Sequence, residues 1–274
     1  MNSSSPTLPG LPLDRFFVKL PYSRLIKGAL ELFVQRGMRP EICFDAAQAE
    51  QLEPSDLRPA AEALAKRGLP CTVHAPFLGL NFGSQDERER SRARTALERT
   101  LRLCETLRPV CVVVHGGQPE YMTDAQYAAW NERALPLMDW TARTARDQGT
   151  RIMLENICHE RPGQLAPLLE ALDGKAGWCL DAGHMHVFGR TPPEDWVRRL
   201  GARLGQMHLH DNDGTADQHK GVGQGRIDFA RLFDALLRSH PDTPRPVVTL
   251  EVNFERDVET SLKTLGPVWP WDRG

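Results

Sequence analysis

No apolar run in the chain approaches the roughly 18–20 residues that cross a bilayer, so the sequence offers no membrane-spanning helix. The opening MNSSSPTLPGLP lacks the basic segment and apolar stretch of a secretory signal, and residues 1–14 are expected to form a disordered tail. Six cysteines (Cys43, Cys71, Cys104, Cys111, Cys158 and Cys179) are scattered with no CxxC spacing, which excludes a disulfide framework. Four of them fall in apolar strand-like runs, where a reduced thiol behaves as a small hydrophobe, and the expected setting is a reducing cytoplasm. A formal net charge of −2 gives no global pull toward nucleic acid or an anionic membrane. There is no short-period repeat and no low-complexity linker. What remains is an ordinary globular composition, 41% hydrophobic and 26% charged, over 274 residues, a length at which α/β barrels form one domain.

Eight apolar runs read as strands: FFVKL (16–20), PEICF (40–44), CTVHA (71–75), VCVVVH (110–115), RIMLEN (151–156), GWCLDA (177–182), LGQMHLH (204–210) and VVTLEV (247–252). Helical periodicity separates them, most clearly at 87–107, where Leu97, Leu101 and Leu103 fall among charges suited to an exposed face. Further helices are expected at 125–148, 163–172, 193–204 and 228–239. Eightfold strand–helix alternation implies parallel strands and points to a single-domain (β/α)8 TIM barrel over residues 15–274. A doubly wound open sheet is the alternative, but no Gly-rich dinucleotide fingerprint follows the first strand. GVGQG at 221–225 follows the seventh strand and lacks the GxGxxG spacing.

The strand ends carry the chemistry. His74 closes the third strand, His115 the fourth, Glu155 the fifth and Asp181 the sixth, with His184 one turn later. His208 and His210 lie on the seventh, Asp217 and His219 on the loop after it, and Glu251 on the eighth. In a barrel the carboxyl ends of all strands converge on one face, so these residues become neighbours. Each alone has a bland reading: His74 as a satisfied core histidine, Asp181 as a helix cap, Glu155 paired with an arginine, Asp211 to Asp213 as turn residues. Together, five imidazoles and four carboxylates at one mouth would repel and desolvate one another unless cations held them, so a metal site is expected. His186 and His210 stand one alternation from better candidates and are expected to point elsewhere, as supporting or substrate-facing groups. His159 and His240 read as surface residues. Trp269 and Trp271 in the C-terminal PVWPWDRG read as packing against the barrel base or a partner subunit.

These residues make the chain similar to the xylose isomerase-like barrels, and within them to the AP endonuclease family 2 group that includes endonuclease IV. The resemblance spans about residues 16–265. It rests on VHAPF at His74, VVHGG at His115, LEN at Glu155, CLDAGH at Asp181 and His184, MHLHD at His208, DQH at Asp217 and His219, and LEV at Glu251. It implies up to three divalent ions per chain, zinc first, with manganese or iron as alternatives that imidazole and carboxylate ligands also suit. Glu155 would bridge two of them. His74 and His115 would hold one, Asp181, His208 and Glu251 would surround the other, and His184, Asp217 and His219 would hold the third. Sugar isomerases and epimerases of the same superfamily use one ion, held at the matches to Glu155, Asp181, His208 and Glu251. The sequence also looks like a branch of cobamide-remodelling phosphodiesterases.

The resemblance implies hydrolysis of a phosphate ester in a small metabolite or cofactor, with Glu155 and Glu251 as catalytic candidates and His210, His186, Tyr22 and Arg24 facing substrate. The alternatives are a one-metal sugar phosphate isomerase or epimerase, and an endonuclease acting on abasic DNA. DNA is disfavoured, because the loop after the first strand offers only Tyr22, Arg24 and Lys27 and the loop after the second is acidic. Sequence alone assigns no oligomeric state.

Overall fold

In a computed structural model, which describes residues 11–242 and 244–271, the eight runs form eight parallel strands. They are β1 (Phe17–Pro21), β2 (Arg39–Cys43), β3 (Thr72–His74), β4 (Val112–Val114), β5 (Ile152–Glu155), β6 (Ala176–Asp181), β7 (Leu204–Leu209) and β8 (Val247–Leu250). Each pairs with its neighbours in sequence, and β8 closes onto β1 through Phe17 opposite Thr249. The result is a single-domain (β/α)8 TIM barrel. No helix among the described residues is long and apolar enough to cross a membrane.

Period-two alternation builds two interiors from each strand. Ile42, Val73, Val112, Val114, Leu154, Leu180, Leu209 and Leu250 belong to the main core shared with the helices. The intervening Cys111, Val113, Met153 and Cys179 form a separate small cluster inside the barrel. Burying each such aliphatic side chain contributes roughly 1.5–3 kcal/mol, so the pattern strongly fixes register.

The helices at Glu87–Leu107, Asp124–Asp147, Pro162–Ala171 and Phe229–Ser239 lie where the periodicity places them, and Leu97, Leu101 and Leu103 are buried. The fourth expected helix is shorter, ending at Leu200; the chain then passes through a 3-10 turn into β7. Helices at Leu30–Arg36, Ala46–Gln51, Pro54–Lys66, Ala182–Phe188 and Glu255–Leu265 were not legible as amphipathic runs. Most are short, and Ala182–Phe188 carries His184 of the site on its buried side.

Two surface readings, of His159 and His240, need correction. His159 is 4% exposed, its ring stacked on Tyr127 and its nitrogens within 3.0–3.1 Å of Gln118 Nε2. His240 is half-buried and donates from Nε2 to the Val197 carbonyl at 3.0 Å. Trp269 is buried against Phe16, Phe233 and Trp271, near the amino end of β1. Residues 1–10 of the expected tail lie outside the described residues. At its end, the Leu11 amide donates to the Leu262 carbonyl, and Leu11 and Leu13 pack on the core.

Candidate metal centre

At the carboxyl ends of the strands the side chains converge on Glu155. Its Oε2 lies 3.0 Å from His115 Nε2 and 3.5 Å from His74 Nε2. Its Oε1 lies 3.1 Å from His184 Nδ1 and 3.5 Å from His208 Nδ1. These imidazoles, and not an arginine, are its ion-pair partners. Burial by itself would raise the Glu155 carboxyl, but the surrounding imidazoles, His115 foremost, hold it well below the usual range.

Local structure orients each donor. His74 donates from Nδ1 to the Ala75 carbonyl at 2.9 Å, which turns Nε2 into the site. Asp181 caps the helix Ala182–Phe188 by accepting from the His184 amide at 2.6 Å, so the bland reading and the site reading both hold for this residue. Asn156 ties β5 to β6: its Oδ1 accepts from Trp178 Nε1 and the Asp181 amide, and its Nδ2 donates to the Asp181 carbonyl. His219 adopts a left-handed backbone (φ 47°) and donates from Nδ1 to the Glu251 carbonyl, leaving Nε2 at 2.9 Å from Asp217 Oδ2. The loop carrying Asp217 and His219 is braced by Asp211, whose carboxylate accepts from the amides of Asn212, Gly223 and Ile227. Asp211 and Asn212, read as turn residues, are buried struts of this loop.

Three groups each bring one ligand atom per residue within 4.8 Å of the others: His74, Glu155 and His208; Glu155, Asp181, His208 and Glu251, which shares two members with the first; and the separate His184, Asp217 and His219. Fit to cations can be judged from unmatched atoms. His74 Nε2, Glu155 Oε1, His208 Nδ1, His210 Nδ1, Asp217 Oδ1 and Glu251 Oε2 are buried without a hydrogen-bond partner. His208 Nδ1 and Glu251 Oε2 stand 2.8 Å apart, yet neither is aligned for a hydrogen bond. Buried imidazole and carboxylate atoms that lie close together and lack hydrogen-bond partners are the donor set a metal takes, so the residues fit divalent ions.

Charge compensation supports the same conclusion. Burial opposes protonation of His184, yet Asp181, then Asp217 and Glu155, hold its pKa well above the ordinary imidazole range. Lys19 on β1 forms an ion pair with Glu251. Protons and one ammonium thus occupy the electrostatic role that cations would take.

The expected substrate-facing set divides. His210 is fully buried inside the site, with Nε2 3.2 Å from Asp181 Oδ2 and its ring stacked on His219 at 4.0 Å. It does not point elsewhere, because residues two apart on a strand share a face. His186 is exposed, since two helical residues turn the chain about 200° and carry it to the side opposite His184. Tyr22 is a core residue whose hydroxyl donates to the Asp56 carbonyl at 2.9 Å. Arg24 lines a recess shared with Lys19, Asn253 and Phe254. A second recess of about 280 Å³ opens beside Asp217 and includes Glu120, Tyr121, Glu160, Phe188 and Arg190 in its wall. Sequence reading missed Lys19 and Glu41, although each interrupts an apolar strand at an inward position.

Similarity to known proteins agrees with this geometry. The protein family described as xylose isomerase-like TIM barrel matches residues 33–266. A Thermus thermophilus protein structure obtained by soaking with zinc chloride superposes with TM-score 0.76 and 31% identity, covering 95% of this chain and all of that one. A Mycobacterium leprae protein named "Probable endonuclease 4" is 29% identical over 66% of this chain and 73% of its own length. An L-ribulose 3-epimerase of Mesorhizobium japonicum is 26% identical over 72% of this chain and 68% of its own. With an eightfold parallel barrel, its polar residues gathered at the carboxyl ends of the strands, and a match over most of its length, the chain belongs to the xylose isomerase-like TIM-barrel family.

Proposed function

We propose that the protein is a metal-dependent hydrolase of phosphate esters, acting on a small metabolite or cofactor. The observation that carries this reading is the surplus of donors. Glu155, Asp181, His208 and Glu251 suffice for one ion, and the separate His184, Asp217 and His219 group would have no role in a one-metal site. Together with His74 and His115 beside Glu155, the donors provide for up to three ions, zinc foremost. Bound divalent ions supply the concentrated positive charge that draws phosphate oxygens and the acidity that makes water a nucleophile near neutral pH.

The chain's own residues set the geometry. Glu155 lies between the groups and links them. His74 and His219 are locked by backbone carbonyls with one nitrogen directed into the site. Phe77, 4.5 Å from the His115 ring, and Phe188, 6.0 Å from the His184 ring, wall the donors and keep bulk water from them. The recess beside Asp217 is sized for the non-reacting part of a small molecule. Glu120 and Glu160 in its wall outnumber Arg190 and disfavour a long polyanion, which favours a metabolite over duplex DNA.

A sugar isomerase or epimerase is the second reading. It is favoured by the four-residue group, which suffices for one ion, and by the epimerase relative, with Glu155 and Glu251 moving protons. The test is a panel: the zinc-loaded protein with bis-p-nitrophenyl phosphate, nucleotide-containing cofactors, cobamides, an abasic-site duplex and several ketoses. Ester cleavage in a small substrate is expected. Ketose interconversion without cleavage of any ester would overturn the assignment, and efficient nicking of the abasic duplex would replace only the substrate class.

A further inference from the structure

Below the mouth, inside the barrel, lies a carboxylate that the reaction does not call for. Glu41 on β2 is fully buried, and it sits among Thr72 on β3, Gln206 and His208 on β7 and Thr249 on β8. An isolated buried carboxylate costs several kcal/mol, so an apolar residue would serve the barrel better unless the charge has a task.

The hydrogen bonds around it define that task. Three donors converge on Oε2: Thr72 Oγ1 at 3.0 Å, Thr249 Oγ1 at 2.8 Å and Gln206 Nε2 at 2.6 Å. The second proton of Gln206 Nε2 is directed to Thr249 Oγ1 at 3.2 Å, and Gln206 Oε1 accepts from Cys111 Sγ at 2.9 Å. Gln206 Nε2 also lies 3.2 Å from His208 Nε2, so Gln206 and Glu41 compete for that ring nitrogen. Oε1 of Glu41 lies 3.0 Å from His208 Nε2 as an ion-pair neighbour, unaligned for a hydrogen bond while the ring is free of metal. On the other side of the same ring, Nδ1 faces Glu251 Oε2 at 2.8 Å, Glu155 Oε1 at 3.5 Å and Asp181 Oδ2 at 3.8 Å.

We propose that Glu41 is a positioning residue that holds the Nε2 proton of His208 and thereby fixes Nδ1 as the nitrogen presented to Glu155, Asp181 and Glu251. Imidazole offers a metal whichever nitrogen lacks a proton, and the partner of the other nitrogen decides which one that is. Only a carboxylate accepts from Thr72, Thr249, Gln206 and His208 together while offering no proton to Nε2. An amide at position 41 could keep its oxygen for the first three donors, but its NH2 would then face Nε2. The ring would answer by carrying its proton on Nδ1, the atom needed in the site. The inference is independent of the reaction class, because the four-residue group is common to hydrolase and epimerase readings.

The test reads the tautomer directly. In zinc-loaded protein labelled with 15N-histidine, long-range 1H–15N correlations, with His208 assigned from its loss in His208→Gln, should show a metal-shifted Nδ1 and a slowly exchanging Nε2 proton. In Glu41→Gln, zinc titration should show one site weakened by about 10–100-fold, the scale for losing a partner of a metal-binding histidine, while the His184, Asp217 and His219 group still fills. His208 in that variant, before zinc is added, should carry its proton on Nδ1. A wild-type spectrum with Nε2 bound to zinc overturns the proposal, as does Glu41→Gln with unchanged tautomer and affinity. The wild-type spectrum precedes any substitution, so it decides the matter even if Glu41→Gln fails to fold.

Discussion

Around Glu41, donors from β3, β7 and β8 converge on one carboxylate oxygen inside the barrel and leave the other to His208; around Glu155, at the strand ends, six buried atoms lack a hydrogen-bond partner. Both sets consist largely of side chains removed from water, and they share β3 and β7. The lower set follows the rule for a stable interior, in which buried polar groups are satisfied by the protein itself. The upper set breaks it, and the free energy of that breach is available to whatever cations settle there. Stability resides in the first layer and chemistry in the second, with His208 belonging to both: Nε2 turned down to Glu41 and Nδ1 turned up to the carboxylates.

Substitutions should separate the two layers. Glu155→Gln removes the carboxylate at the centre of the mouth and is expected to lower turnover by about 10³-fold, on the scale of losing one preorganised charge-stabilising group in a closed site. Thermal unfolding of the metal-free variant should drop only modestly, because the amide keeps the side chain's size and loses chiefly the charged contact of Oε2 with His115. Turnover near wild type at full metal occupancy would show that the upper layer is not organised around Glu155.

His219→Ala removes a ligand of the loop group and none of the four-residue group, although it also releases the Glu251 carbonyl. Elemental analysis after zinc reconstitution should find one ion fewer per chain, with the four-residue group still filled. An unchanged content of a single ion in both proteins would favour the one-metal epimerase reading. In the lower layer, Gln206→Ala strips a donor from Glu41 and leaves part of the network unsatisfied. Its expected cost is about 1–3 kcal/mol in chemical denaturation of the metal-free protein. A cost near zero would mean that the matched layer is not a source of stability.

The smallest effect concerns His159, outside both layers. Burial first, then the neighbouring His184 and His115, lower its pKa from 6.5 to about 3. A histidine lowered in the folded state binds its proton in the unfolded chain first. The stability it contributes is therefore full above about pH 6.5 and is lost as pH falls toward 3. Between pH 6.5 and about pH 5, His159→Gln should lose on the order of 1 kcal/mol less than wild type, measured by urea unfolding at each pH. Parallel acid profiles for the two proteins would show that His159 does not titrate as a buried neutral group.

Alternation of apolar residues with helical stretches was enough to specify the barrel, since each strand must bury one face against helices and the other against the barrel axis. The helix over Glu87–Leu107 was readable to its ends because Asp86 caps it and charges mark its outer face. The strand-end positions of His74, His115, Glu155, Asp181, His208 and Glu251 were readable too, because chain order and parallel topology send them to one mouth. Other features depended on orientation across the barrel. Whether Tyr22 faces the site or the core turns on the sharp turn after β1, and Gly28 at φ 116° marks how abruptly that segment bends. His159 was read as exposed because its segment is polar, while the walls that bury it, Gln118 and Tyr127, come from a different crossover. Glu41 and Lys19 read as isolated charges in apolar runs, and only closure of the barrel gives each its partner more than 160 positions away. Sequence by itself determined which residue types reach the mouth, because local periodicity sets strand ends. Tertiary structure alone decided which nitrogen faces which oxygen, because hydrogen-bond geometry is settled between strands and not along them.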